Sequence, residues 1–235
     1  MPRESREEWK TYKNVFDQLA LLNLEKLRSE GHFDELQSPI ALGKEANIFT
    51  ASKGDDTVIV KIYRLENCNF NQMYRYIAPD PRFAGLKKRR RLVIFSWVQR
   101  EYRNLLKARE VIRVPKPITV KDNILVMEFI GRDNELAPKL KDQEPKNPKD
   151  FFKRTIKSIK ALYDVGIVHA DLSEFNILNF EEEPVFIDLS QATTTQHPQA
   201  REFMERDIHN IVKFFKRLGV KADEKEVLDD ILKKK

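Results

Sequence analysis

The sequence predicts an α+β chain of two lobes, the first built mainly of antiparallel strands and the second mainly of helices. Three observations carry this. Between residues 40 and 130, β-branched and aromatic runs alternate with Gly-Asp and Asp-Asn turns, giving about five strands interrupted by one long helix. From residue 150 onward, apolar residues recur mostly at spacings of three and four. Between the halves, residues 132–150 are rich in Lys, Asp, Glu and Pro and read as the passage from one lobe to the other. The expected organisation is a helical extension at 1–35, a strand-rich lobe at 36–131 containing a flexible loop at 65–91, and a short helical lobe at 132–235.

Composition sets the bounds. The 235 residues are 41% hydrophobic, enough to bury a core in one large unit or two small ones. A net charge of +6 favours polyanionic partners without naming one. Cys68 is the only cysteine, which excludes an internal disulfide and a cysteine-built zinc site, and no base flanks it to make a reactive thiolate. No apolar run approaches the roughly 18 residues that a membrane-spanning helix needs. The start, Met1-Pro2-Arg3-Glu4-Ser5-Arg6, carries no apolar signal segment, so a cytoplasmic protein without a membrane partner is expected.

Taken in order, Trp9, Tyr12, Phe16, Leu19 and Leu27 lie on one face of an amphipathic helix that stops near Gly31. Residues 47–51 and 57–63 flank the turn Lys53-Gly54-Asp55-Asp56 and form a hairpin. Its exit strand holds Lys61 among Val and Ile, a costly place for an ammonium without an anionic partner. Residues 65–91 show weak periodicity, several aromatics and the run Lys87-Lys88-Arg89-Arg90-Arg91, the pattern of a solvated loop that could also meet a phosphate backbone. A helix at 92–108 places Ile94, Val98, Glu101 and Leu105 on one stripe. An acid on an apolar stripe wants a cation, and Lys61 is the candidate. Val114-Pro115-Lys116-Pro117 ends that helix, and a second hairpin follows at 118–130, closed by Gly131. Phe152, Ile156, Ile159, Leu162 and Tyr163 mark a core-facing helix ended by Gly166. Helices around 207–218 and 227–232 close the chain.

The densest chemistry lies in His169-Ala170-Asp171-Leu172-Ser173-Glu174-Phe175-Asn176 and, a few residues on, Val185-Phe186-Ile187-Asp188. An acid and an amide five apart in a short loop, then an acid closing an apolar run, is how phosphoryl-transfer sites hold a base and metal ions. Such transfer asks the protein mainly to position reactants and offset charge. Lys61, oriented by Glu101, would bind phosphate oxygens of ATP; Asn176 and Asp188 would hold magnesium or manganese through hard oxygens. Asp171 would accept the nucleophile's proton. Backbone at Gly43, Lys44, Glu45, Ala46 and Asn47 would cover the phosphates, and Glu128 and Ile130 would offer main-chain groups to the adenine. His169 reads as a structural hydrogen-bonding residue, because acids already fill the base and metal roles.

In these motifs the chain resembles the RIO family of atypical protein kinases. Gly43-Lys44-Glu45-Ala46-Asn47, the His169 to Asn176 stretch and Ile187-Asp188-Leu189-Ser190-Gln191 look like its first branch; the second would show His-Gly-Asp and an Ile-Asp-Phe-Pro-Gln ending. The resemblance implies a shortened protein-kinase fold with ATP between the lobes. It also implies serine kinase and ATPase activity in late maturation of the small ribosomal subunit, contact with ribosomal RNA, and a transient aspartyl-phosphate at Asp188.

Departures from ordinary protein kinases narrow the expectation. Gly43 stands without a Gly-x-Gly-x-x-Gly pattern, and Ala170 replaces the arginine that pairs with an activation-loop phosphate, so control by such a phosphate is not expected. After Asp188 come only two predicted helices and a turn, with no Ala-Pro-Glu segment, which favours ATP hydrolysis, autophosphorylation or one large partner over broad peptide phosphorylation. Two other classes remain open at this level. One is an ATP-gated ribosome-binding factor with little phosphotransfer; the other is a small-molecule kinase of the aminoglycoside phosphotransferase type, against which Ala170 and Ser190-Gln191 stand.

Overall fold

A computed structural model describes residues 16–66 and 68–233. Its first half is a five-stranded antiparallel sheet of order β1-β2-β3-β5-β4, with β1 Glu35–Leu42, β2 Ala46–Lys53, β3 Asp56–Tyr63, β4 Pro117–Lys121 and β5 Ile124–Glu128. The β2–β3 turn passes through Gly54 at φ +59°, a conformation glycine adopts without steric cost. Strand β1 buries only Leu36 of its eight residues, which is why its sequence shows no alternation.

Side-chain alternation sorts β3 between two cores. Val58, Val60 and Ile62 pack against helix α1, Gln18–Ser29, through Ala20, Leu24 and Leu27. Full burial of leucines such as these contributes about 1.5–3 kcal/mol each. Ile59, Lys61 and Tyr63 point the other way, toward the cleft and the long helix α3 that follows. Asp17 caps α1 by accepting the N–H of Ala20 at 2.8 Å, and Gly31 ends the turn after it at φ +74°. Trp9 and Tyr12 of the expected extension lie outside the described residues.

Residues 65–91 depart from the expected loop. Helix α2, Phe70–Ile77, is capped by Asn69 and buries Met73 and Ile77; a 3₁₀ turn at Pro81–Phe83 follows under the cap of Asp80. Phe70, Met73, Tyr74 and Ile77 keep helical spacing through it, and the polar residues that fix the segment make contacts distant in sequence. Helix α3, Arg90–Ala108, then crosses the second sheet face with Val93, Ile94, Trp97, Val98 and Leu105 buried.

The passage between the halves contains the two-residue ladder of β6, Gly131–Arg132, with β7, Glu135–Leu136. A Cβ at Gly131 would lie 2.1 Å from the carbonyl oxygen of Glu135, so only glycine fits there. Helix α4, Pro148–Asp164, buries Phe151, Thr155, Ile159 and Leu162; Phe152, Ile156 and Tyr163 of the expected stripe flank that face rather than centre it. Two small ladders follow, β8 Ile167–Val168 with β11 Thr193–Thr194, and β9 Ile177–Phe180 with β10 Glu183–Phe186. The β9–β10 hairpin turns through Glu181 and Glu182, both at positive φ, the geometry that matches strand twist. Helices α5, Ala200–Arg217, and α6, Glu224–Leu232, complete the second core. No described helix is long and apolar enough to cross a membrane.

Candidate active site

The small ladders place two loops side by side. Residues 169–176 connect β8 to β9, and residues 187–192 connect β10 to β11, so both loops leave paired strands at one end of the second lobe. Two hydrogen bonds join them. The Ile187 N–H donates to the Asn176 carbonyl at 3.0 Å, and His169 Nε2 lies 3.1 Å from the Ile187 carbonyl. That acceptor sets the His169 tautomer with its proton on Nε2. Burial pushes the His169 pKa down to about 4, so the ring is a neutral spacer.

The cleft between the loops and the sheet is lined by Ile48, Ile59, Lys61, Asn176, Ile187 and Asp188, together with Glu128 and Ile130 at and just past the end of β5. Lys61 is buried and shared by two acids. Its Nζ lies 2.8 Å from Glu101 Oε1 and 3.0 Å from Asp188 Oδ1. Both charges, against the pull of desolvation, keep the ammonium protonated. Glu101 is buried on the apolar stripe of α3, and its second oxygen accepts the Tyr63 hydroxyl at 2.5 Å. Tyr63 sits two residues after Lys61, hence on the same strand face. Its role was not legible in the sequence, because a tyrosine there also reads as core.

The two loop acids differ in environment. Burial first, then the charge of Asp188, pushes the Asp171 carboxyl up to about 6. Asp188 is held at about 2: desolvation opposes ionisation, but Lys61 and the Ser190 hydroxyl outweigh it. Asn176 Nδ2 donates to the Asp171 backbone carbonyl at 2.8 Å and to Asp171 Oδ2 at 3.2 Å, which leaves its amide oxygen as the atom available to a cation. An ionised carboxylate and an amide oxygen suit magnesium, which completes its shell with water and phosphate oxygens. Among the described residues no group of three His, Cys, Asp or Glu could hold a metal without such help.

The remaining predicted residues surround this centre. Gly43 donates its N–H to the Ala46 carbonyl at 3.0 Å, and a Cβ there would come within 2.8 Å of that oxygen, so the β1–β2 turn needs glycine. Lys44 is exposed, while Asn47 is buried where β2 begins. Glu45 stands near enough to Asp188 that, after burial, this charge raises its pKa. The Glu128 side chain is turned outward, pairing with Arg113 at 2.6 Å and accepting the Lys116 N–H at 2.9 Å.

One support of the 169–176 loop escaped sequence reading. Asp207, buried on α5, accepts the N–H groups of Ala170 and Leu172, each at 2.8 Å. Its neighbours Arg206 and Asn210 donate to the carbonyls of Ala170 and Leu172. Burial pushes the Asp207 carboxyl up to about 7 even though both N–H donors and Arg206 oppose it. Ala170 has φ +65°, a strained conformation for a residue with a Cβ, and these four bonds hold it. The available signal was an acid within an apolar helix face, the same signal that marked Glu101.

Comparison with known proteins shows the family. A family model described as the RIO domain matches residues 47–227. The RIO-type serine/threonine-protein kinase Rio1 of Methanocaldococcus jannaschii is 43% identical over 226 residues, covering 96% of this chain and 78% of that protein. The protein of the same name from Haloferax volcanii is 40% identical over 225 residues, covering 95% and 78%. Among solved structures, the Rio2 kinase of Chaetomium thermophilum, in an ADP/Mg²⁺-phosphoaspartate complex, aligns with a TM-score of 0.69 at 22% identity. That alignment covers 88% of this chain and 64% of the other, and establishes likeness of fold.

Proposed function

The chain belongs to the RIO family, and on that footing we propose that it is an ATP-dependent atypical serine/threonine protein kinase that also hydrolyses ATP. It works in the cytoplasm on maturing small ribosomal subunits and contacts ribosomal RNA. The observation that carries the chemistry is Lys61 held at once by Glu101 and Asp188 on the cleft wall, with Asp171 and Asn176 hydrogen-bonded on the loop beside them.

Bound ATP supplies the transferable phosphoryl group, and a magnesium or manganese ion bound with it offsets charge on the phosphate oxygens. Lys61 would present its ammonium to the phosphates with Glu101 keeping it in place, and Asp188 would then be free to serve the cation. Asn176 and Asp188 hold the cation. Asp171 takes the proton of an acceptor hydroxyl, with a pKa near 6 that leaves it ionised at neutral pH. Backbone from Gly43 to Asn47 covers the phosphates, and main-chain groups of Glu128 and Ile130 meet the adenine. ATP hydrolysis follows a second course through Asp188. A carboxylate oxygen bonds to the γ-phosphorus as the bond to the β–γ bridging oxygen breaks and ADP leaves. Water then cleaves the acyl phosphate, passing its proton to Asp171.

Turnover of γ-labelled ATP tests the assignment. Asp171→Ala is expected to lose at least about 100-fold in rate, and turnover near the wild-type level would overturn the catalytic role. In the same assay, label trapped on Asp188 is released by hydroxylamine; label that resists hydroxylamine instead points to autophosphorylation of serine.

A further inference from the structure

Helix α3 brings more than Glu101 to the site. One turn further on, Asn104 is buried against the segment that follows Asp188. Its Nδ2 donates to the carbonyls of Leu189 at 2.9 Å and Ala192 at 2.7 Å, and its Oδ1 accepts from Arg82 Nη1 at 2.7 Å. Both amide hydrogens and the oxygen are engaged by different segments, so the side chain has one orientation. Arg100, one turn before Asn104, donates through Nε and Nη2 to the Ser190 carbonyl at 3.0 and 2.7 Å. The Ser190 hydroxyl helps to hold the Asp188 carboxyl at its low pKa. Arg82 is itself fixed by Asp80, whose buried carboxylate its Nη2 meets at 2.6 Å.

These clamps fall where the backbone needs them. Asp188 has φ +58°, which a residue with a Cβ keeps only when its surroundings over-determine it. The carbonyls of residues 189, 190 and 192 all end on side chains of the helix that also carries Glu101.

Resting on the reading of Asp188 as a metal ligand, we infer that Asn104 is a positioning residue that holds the Asp188 carboxylate in its metal-binding place. It touches neither nucleotide nor cation. Its two donated bonds brace the chain on the C-terminal side of Asp188, and the Arg82 bond joins the turn at Pro81–Phe83 to the same brace. Without it, residues 189–192 relax and the carboxylate leaves the cleft wall that it shares with Asn176. Because Glu101 and Asn104 share α3, the lysine-orienting and cation-holding parts of the site move as one unit.

Mn²⁺ titration of the full chain with ADP, followed by electron paramagnetic resonance, tests this directly; calorimetric ADP binding in EDTA is the control. Asn104→Ala is expected to weaken Mn²⁺ binding about tenfold, as removal of outer-shell partners does at metal sites, with metal-free ADP affinity unchanged. Arg82→Ala, at the partly exposed end of the network, is expected to weaken it at least about twofold. Wild-type Mn²⁺ affinity in folded Asn104→Ala overturns the inference, as does an equal loss of metal-free ADP affinity, the sign of a general packing role. Should Asn104→Ala fail to fold, wild-type Mn²⁺ affinity in Arg82→Ala overturns it. A wild-type protein that binds no Mn²⁺ with ADP overturns the reading of the site, and the inference with it.

Discussion

Two aspartates in one cleft have been driven apart in acidity, Asp171 to about 6 and Asp188 to about 2. Such divergence suits the roles proposed for the pair, a proton acceptor and a permanently charged ligand. Asp171 is ionised above about pH 6, and its base form is lost as pH falls through that value. Asp188→Asn removes the like charge while burial stays, so the Asp171 pKa is expected to fall part of the way toward its ordinary value. Carboxyl carbon-13 titration of the metal-free protein measures this, and an Asp171 resonance that titrates unchanged contradicts the coupling. At this scale the sequence was most readable where a residue was expensive alone. Lys61 in an apolar strand and Glu101 on an apolar stripe each demanded a partner, and the structure pairs them at 2.8 Å. Tyr63 and Asn104 made no such demand, since a tyrosine in a strand and an asparagine on a helix are cheap until their hydrogen-bond partners are known.

Elements with a full period were legible for the same physical reason. Strand β2 alternates in burial, β3 is a continuous β-branched run buried on both faces, and α3 keeps its stripe over five turns. Helix α2 was missed although Phe70, Met73, Tyr74 and Ile77 keep helical spacing, because eight residues beside two prolines and a basic run read as loop, and β1 because nearly all of it faces solvent. The join between α5 and the 169–176 loop was not read because the partners of Asp207 are backbone N–H groups, which no residue type announces. That join is energetically testable. Asp207→Ala leaves the Ala170 and Leu172 N–H groups without their acceptor in a buried loop already strained at φ +65°. Loss of two hydrogen bonds to a buried carboxyl group is expected to cost about 2–4 kcal/mol, read from the urea midpoint at constant m-value. A cost below about 1 kcal/mol would mean that Arg206 and Asn210 hold the loop by themselves.

On the scale of the whole molecule, the positive charge has a place to act. Residues 87–91 are all exposed at the start of α3, beside the aromatic face of α2. Lys88 Nζ stands 5.6 Å from the Tyr74 ring centroid, and the Arg90 guanidinium 5.1 Å from that of Phe70. These contacts turn the run from a loose tail into a fixed cationic edge. Arg90 also donates to the carbonyls of Leu65 and Glu66, so it is structural and stays in any test. If the edge meets ribosomal RNA, each phosphate contact releases counterions, and log affinity falls with log salt by roughly 0.7 per contact on a single strand. Replacing Lys87, Lys88, Arg89 and Arg91 by serine is then expected to flatten that slope by up to about 3, with ATP turnover in the absence of RNA unchanged. Binding of a single-stranded RNA followed by fluorescence anisotropy across a salt series gives the slope. An unaltered slope removes the run from the interface and moves the search for the RNA contact to another face, while a flattened one ties the RNA to the helix that carries Glu101, Arg100 and Asn104.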